Sequence, residues 1–180
     1  ELSGCGIGFK LIQAIQKEKN RPFDEILNFL DLVAISIAAD VVPLTGENRV
    51  LAFYGLKVIN RCPRVGIEAI LSYSKIKHEA NSKLYFNREL TISDLVFLVG
   101  PRINAAGRLE KASDSVRLLI ADKKEHADKL ASSINDLNVR RREFDNRITE
   151  EALAMIEQNE TLRNAKSTVL FNENWHKGVI

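Results

Sequence analysis

Sulfur is scarce in this sequence, with two cysteines and one methionine among 180 residues. Cys5 and Cys62 lack CxxC or Cys/His ligand spacing, which argues against a zinc finger and a disulfide scaffold and favours a reduced, cytosolic pair. The longest apolar runs are broken by Asp31 and Asp40, well short of a membrane span. No signal peptide opens the chain. Neither charge dominates: Lys plus Arg number 26 against 24 Asp plus Glu, and the balance is 12 to 11 up to residue 100 and 14 to 13 beyond it. A bulk positive field is therefore excluded, and any contact with nucleic acid depends on local placement. There is no internal repeat and no low-complexity tract. What remains is 45% hydrophobic and 28% charged, the composition of a folded domain with a real core. The start at Glu1 without Met and the stop straight after "NENWHKGVI" read as a piece of something longer.

The patterning is mostly helical. "SGCGIGFKLIQAIQKEK" places Ile7, Leu11, Ile12 and Ile15 on one face, with Ser3 as a cap. In "RPFDEILNFLDLVAISIAADVVPL", Ile26, Leu30, Val33, Ile37 and Val41 keep helical spacing for longer than most strands last. "VLAFYGLKVIN" and "VGIEAILSY" predict short helices, and "NSKLYFNREL" a loop or edge strand. Thr91 and Asp94 have capping-box spacing for a helix "ISDLVFLV", predicted to stop at Gly100 and Pro101. Asp122 and Glu125 have the same spacing before a long helix over 123–158. Its stripe is Leu130, Ile134, Leu137, Phe144, Ile148 and Met155, with Arg141 and Glu151 in two slots. Such a length suits a coiled coil or a strut between domains. "STVLF" after it has strand character.

Four places hold groups suited to chemistry. Asp40 is a lone carboxylate in apolar surroundings, a costly position unless a cation or donors meet it; the plain alternative is a helix-end carboxylate bonded to nearby backbone. No second Asp, Glu or His nearby completes a metal cluster. In "LSGCGIG", Ser3 and Gly4 open a helix whose free N–H groups suit an anion, although helix packing explains the glycines equally well. In "GPRINAAGR", read as a rigid cationic loop, Arg102, Asn104 and Arg108 offer donors suited to phosphate; the alternative is an arginine paired with a core acid. "RRR" at 140–142, with Glu143 and Asp145 beside it, reads as a solvated helix face, and His78 and His126 as surface residues. His176, after Trp175, either contacts phosphate or polarises a reacting group, or sits in an uninvolved loop.

"ELSGCGIGFKLIQAI", "LDLVAISIAADVVPLTGENRVLAFYGLKVIN", "GPRINAAGR" with "ASDSVRLLIAD", "LNVRRREFDNRITEEA" and "WHKGVI" occur in this order. Together they resemble the RecJ-type 5′ to 3′ exonucleases of the DHH phosphoesterase superfamily, from residue 1 to 180. The resemblance implies a mainly α chain: the C-terminal part of an α/β DHH domain over 1–121, a long connecting helix over 122–160 and the start of a second α/β domain over 161–180. It implies hydrolysis of single-stranded DNA in repair and recombination with two Mn²⁺ or Mg²⁺ ions, in the cytoplasm. A repair helicase or a single-strand-binding protein is then a candidate partner. It makes Asp40 a catalytic metal ligand, His176 a catalytic residue facing the cleft, and Arg102, Asn104 and Arg108 the grip on DNA phosphates. Ser3 and Gly4 would support the same site. The family's N-terminal acidic motif and Asp-His-His triplet do not occur here, so these 180 residues alone are expected to be inactive while the parent is active. The rivals are a DHH phosphodiesterase for short oligonucleotides or cyclic dinucleotides, and a non-catalytic scaffold self-associating through 123–158.

Overall fold

The computed structural model describes residues 1–40, 42–80 and 84–180. Its helices are α1 (Gly4–Glu18), a 3₁₀ segment (Phe23–Phe29), α2 (Leu30–Ala39), α3 (Gly46–Arg61) and α4 (Val65–Leu71). They are followed by α5 (Ile92–Asp94), a wide π-type turn (Leu95–Val99), α6 (Gly100–Leu109), α7 (Ala112–Leu119), α8 (Lys124–Glu157) and α9 (Glu160–Asn164). Among the described residues, extended pairing is limited to an isolated bridge between His78 and Phe86. The mainly α reading holds. Val41 and residues 81–83, which carried part of the predicted second helix and of the loop, lie outside the described residues.

α2 is the element around which the others gather. Leu30, Asp31, Val33, Ala34, Ile35 and Ile37 are all buried, because α1, α3 and α6 cover different sides of it. Gly55 sets the spacing to α3: a Cβ there would lie 2.1 Å from the Leu30 carbonyl oxygen and 2.6 Å from the Ala34 Cβ. Buried Asp31 meets the Arg64 guanidinium at 2.6 Å. The predicted single helix over this region is divided, since residues 23–29 wind more tightly. That winding lets Ile26 and Leu30 join Phe9, Val33 and Ile37 in one cluster, so packing against α1 overrides the local spacing.

The predicted stop at Gly100 and Pro101 does not occur. In the π-type turn, the Gly100 N–H bonds to the Leu95 carbonyl, five residues back. That extra residue relieves the clash a proline ring makes with a regular preceding turn, and the chain continues helically to Leu109. "GPRINAAGR" is thus a helix and not a loop. The Thr91–Asp94 capping box forms as read. The Asp122–Glu125 box does not: α8 begins one residue later than that pattern requires, with Lys123 at the cap position and no side-chain cap bond.

α8 is 34 residues, roughly 50 Å long at 1.5 Å per residue. In its first half Ala127, Ala131, Ile134 and Leu137 are buried against α4, α6 and α7, so that part of the stripe is used inside the chain. "STVLF" forms no strand here. A strand needs a partner ladder for its backbone groups, and Val169 and Phe171 instead stand 95% and 80% exposed.

Candidate nucleic-acid interface

The C-terminal end of α2 borders a cleft of about 390 Å³ whose lining includes Cys5, Ser36, Asp40, Asn104, Val116 and Ile120. Asp40 is exposed there. Its N–H bonds to the Ser36 carbonyl at 3.1 Å, after which the backbone turns extended. The last carbonyls of a helix have no partner within it, and α6 supplies one: the Asn104 amide donates to the Ala39 carbonyl at 2.9 Å. One turn earlier, Gly100 lies so close that a Cβ would sit 3.3 Å from the Ala39 Cα. Two members of the "GPRINAAGR" motif therefore fix the backbone that carries Asp40. From the other side, the Cys5 N–H donates to Ser36 Oγ at 3.4 Å, which brings the start of α1 to the same cleft.

The remaining expected residues do different jobs. Ser3 is fully buried, and its hydroxyl accepts from the Gly6 N–H at 3.3 Å, so it caps α1. Gly4 is exposed, with open space where a Cβ would be. Six residues of α-helix turn the chain through about 600°, so Arg102 and Arg108 leave α6 about 120° apart. The reading of a single cationic loop gives way to a helix with Asn104 and Arg108, four residues apart, toward one side and Arg102 on another.

Arg102 lies half-buried between α6 and α8. It donates to the Leu98 carbonyl at 2.6 Å, the Tyr73 carbonyl at 3.3 Å and Asn135 Oδ1 at 3.1 Å. All three acceptors are neutral, and none of the ion pairs among the described residues includes it. Burial, and then the Arg142 guanidinium beside it, pull its proton affinity below the ordinary arginine value, although arginine stays charged. Arg108 donates to the Gly178 carbonyl at 3.3 Å. A Cβ on Gly178 would meet the Arg108 carbonyl oxygen at 2.4 Å, so only glycine fits.

His176 belongs to that docked C-terminal segment. Its Nδ1 accepts from the Gly178 N–H at 3.1 Å, which places the proton of the neutral ring on Nε2, and the ring stacks on Phe144 with centroids 5.6 Å apart. The Trp175 indole donates to Glu151 at 2.7 Å. Sequence reading did not single out Asn135 and Asn138 of α8. Asn138 Oδ1 and Arg141 Nε are both buried without a hydrogen-bond partner, a state that costs on the order of 1–3 kcal/mol for each group. The one legible signal was Arg141 occupying an apolar slot of the helix stripe.

Among the described residues, no three His, Cys, Asp or Glu side chains gather in a group able to hold a metal ion. Hard divalent cations take about six oxygen ligands. Asp40 offers one carboxylate, so these residues do not by themselves hold such an ion.

No family model matches the chain. Over 99% of its length it is 36% identical to the single-stranded-DNA-specific exonuclease RecJ of Salmonella typhimurium, and over 100% it is 36% identical to that of Bacillus subtilis. In fold it matches a crystal structure of Thermus thermophilus RecJ in complex with Mn²⁺, with a TM-score of 0.77 and 30% identity over 98% of this chain. Along its whole length the chain is similar to RecJ exonucleases. It spans 32% of the Salmonella relative, 21% of the Bacillus one and 24% of the Thermus chain. A further RecJ structure, bound to manganese, matches with a TM-score of 0.76 at 29% identity, covering 99% of this chain and 41% of that one. The likeness to RecJ thus takes in the Asp40 cleft, the α6–α8 seam and the docked C-terminal segment together.

Proposed function

We propose that the chain forms one wall of the active centre of a divalent-metal-dependent exonuclease of the DHH type, which removes nucleotides from the 5′ end of single-stranded DNA. The observation that carries this reading is Asp40, held at the mouth of a cleft by Asn104 and Gly100, in a chain similar along its whole length to RecJ exonucleases. Asp40 provides one oxygen ligand, and the remaining ligands come from outside these 180 residues. When bound, a pair of Mn²⁺ or Mg²⁺ ions activates water and neutralises charge at the scissile phosphate.

The residues of this chain bind and position. Asn104 holds the helix end that aims Asp40. Arg102 has spent three of its five N–H donors on neutral acceptors, and its charge is left for a phosphate. Arg108 tethers the segment that carries His176, whose Nε2 proton is the group it can donate. In this account residues 1–121 complete the catalytic domain, 122–160 connect it and 161–180 open a second domain. Repair and recombination of DNA in the cytoplasm, alongside a helicase or a single-strand-binding protein, is the matching cellular role.

The test is a nuclease assay with Mn²⁺ on the full-length protein and on the 180 residues alone, using single strands labelled at either end. We expect mononucleotides released from the 5′ end by the full-length protein only. Release from the 3′ end, preference for duplex, or turnover by the 180 residues alone would count against the proposal.

A further inference from the structure

The seam between α6 and α8 holds more positive charge than its protein neighbours answer. Arg102 Nε reaches Asn135 of α8 at 3.1 Å. From there Asn138 and Arg142 follow at steps of three and four, the spacing that keeps side chains on one helix face. Long side chains on a helix lean toward its N-terminus, which carries the Arg142 guanidinium back toward Arg102. The two charges sense each other, since Arg142 lowers the proton affinity of Arg102. Arg141, one residue before, is half-buried, and its Nε has no acceptor.

Counter-charge is what this cluster lacks. Along this part of α8, Arg140 pairs with Glu110 at 3.9 Å and Arg147 with Glu151 at 3.8 Å. Among the described residues, Arg102, Arg141 and Arg142 enter no ion pair, although Glu143 and Asp145 are close in sequence. Arg102 and Arg141 are half-buried and Arg142 is exposed; Arg102 and Arg142, like-charged and close, repel one another unless an anion lies between them. A planar fork of N–H donors matches the oxygens of a phosphate, and a phosphodiester backbone presents such a group at every nucleotide. The run at 140–142 is therefore not a uniformly solvated face.

We propose that Arg141 and Arg142 of α8 join Arg102 of α6 in one seat for a backbone phosphate of single-stranded nucleic acid. This rests on the proposed single-strand function and assigns a binding role to α8, the helix otherwise read as a connector. Arg142, the exposed member, meets the strand; Arg141 stiffens the seat from within.

The test compares full-length wild-type protein with Arg142→Gln, Arg141→Gln and Arg142→Lys. Binding of a labelled oligo(dT) is followed by anisotropy in EDTA over a range of salt, alongside thermal melting of each variant. For single strands, each phosphate contact contributes about 0.7 to the slope of log affinity against log salt. Arg142→Gln is expected to lower the slope by about that amount and to weaken binding about tenfold at low salt. Its melting temperature should be unchanged or raised, because a like-charged neighbour is gone. Arg142→Lys should keep the slope, and Arg141→Gln should weaken binding in the same direction. An unchanged slope with a lower melting temperature would mean an ion pair with a carboxylate from elsewhere and would overturn the proposal. An unchanged slope and melting temperature would return the run to a solvated face and overturn it equally. A wild-type protein that binds no oligo(dT) would remove the single-strand reading itself, a failure visible before any variant is compared.

Discussion

Ala39 is the last residue of α2, and its carbonyl finds no N–H within its own helix; the Asn104 amide meets it at 2.9 Å. The next residue is Asp40, so a hydrogen bond across 65 positions of sequence decides where that carboxylate stands. Removing it in Asn104→Ala is expected to cost about 1 kcal/mol of stability, the usual net worth of such a bond. In the full-length protein, the Mn²⁺ concentration for half-maximal nuclease activity should rise while single-strand affinity changes little. Loss of affinity at unchanged Mn²⁺ dependence would instead make Asn104 a phosphate contact. At this scale the sequence was informative where the partner is local: Ser3 reads as a cap and is one. Arg102 was read as a phosphate donor or a core ion pair. Its partners at Tyr73 and Asn135 lie 29 and 33 positions away, beyond any local pattern.

Between Thr91 and Leu109 the elements follow one rule the sequence states and break another. The capping box reads correctly because its chemistry is complete within four residues: the Thr91 N–H and hydroxyl both donate to Asp94. The helix stop at Pro101 misreads because the proline rule presumes a regular α turn before it, and the π-type turn at Leu95–Val99 removes that premise. Asp94 also carries a pH prediction. The Arg88 guanidinium, then the Thr91 donors, hold its carboxyl well below the usual carboxylate range. The unfolded chain therefore binds the proton first as pH falls. The stability this group contributes is fully present above about pH 4 and is lost progressively below it. Asp94→Asn is expected to lower the melting temperature at pH 6, and to flatten its fall between pH 5 and 3 relative to wild type. Parallel curves for the two proteins would show that Asp94 carries none of the acid sensitivity.

Across the whole molecule, α2 is enclosed by α1, α3 and α6, α8 lies along α4, α6 and α7, and the C-terminal segment docks beside α6 and α8 through Arg108–Gly178, His176–Phe144 and Trp175–Glu151. The helical class and the long helix were legible because a 3.6-residue period repeats over many turns. The unpaired "STVLF" segment was not legible, since strand propensity says nothing about whether a neighbouring strand is there. Nor was the α6–α8 seam, where a half-buried arginine looks like its solvated neighbours until the packing is known. The account as a whole turns on Asp40 as a metal ligand. The most direct measurement is calorimetric titration of Mn²⁺ into full-length protein, wild type against Asp40→Asn, with melting curves to confirm that both are folded. The account predicts Mn²⁺ binding weakened at least tenfold at one site, with exonuclease turnover lost alongside it. Identical Mn²⁺ isotherms with turnover intact would contradict it.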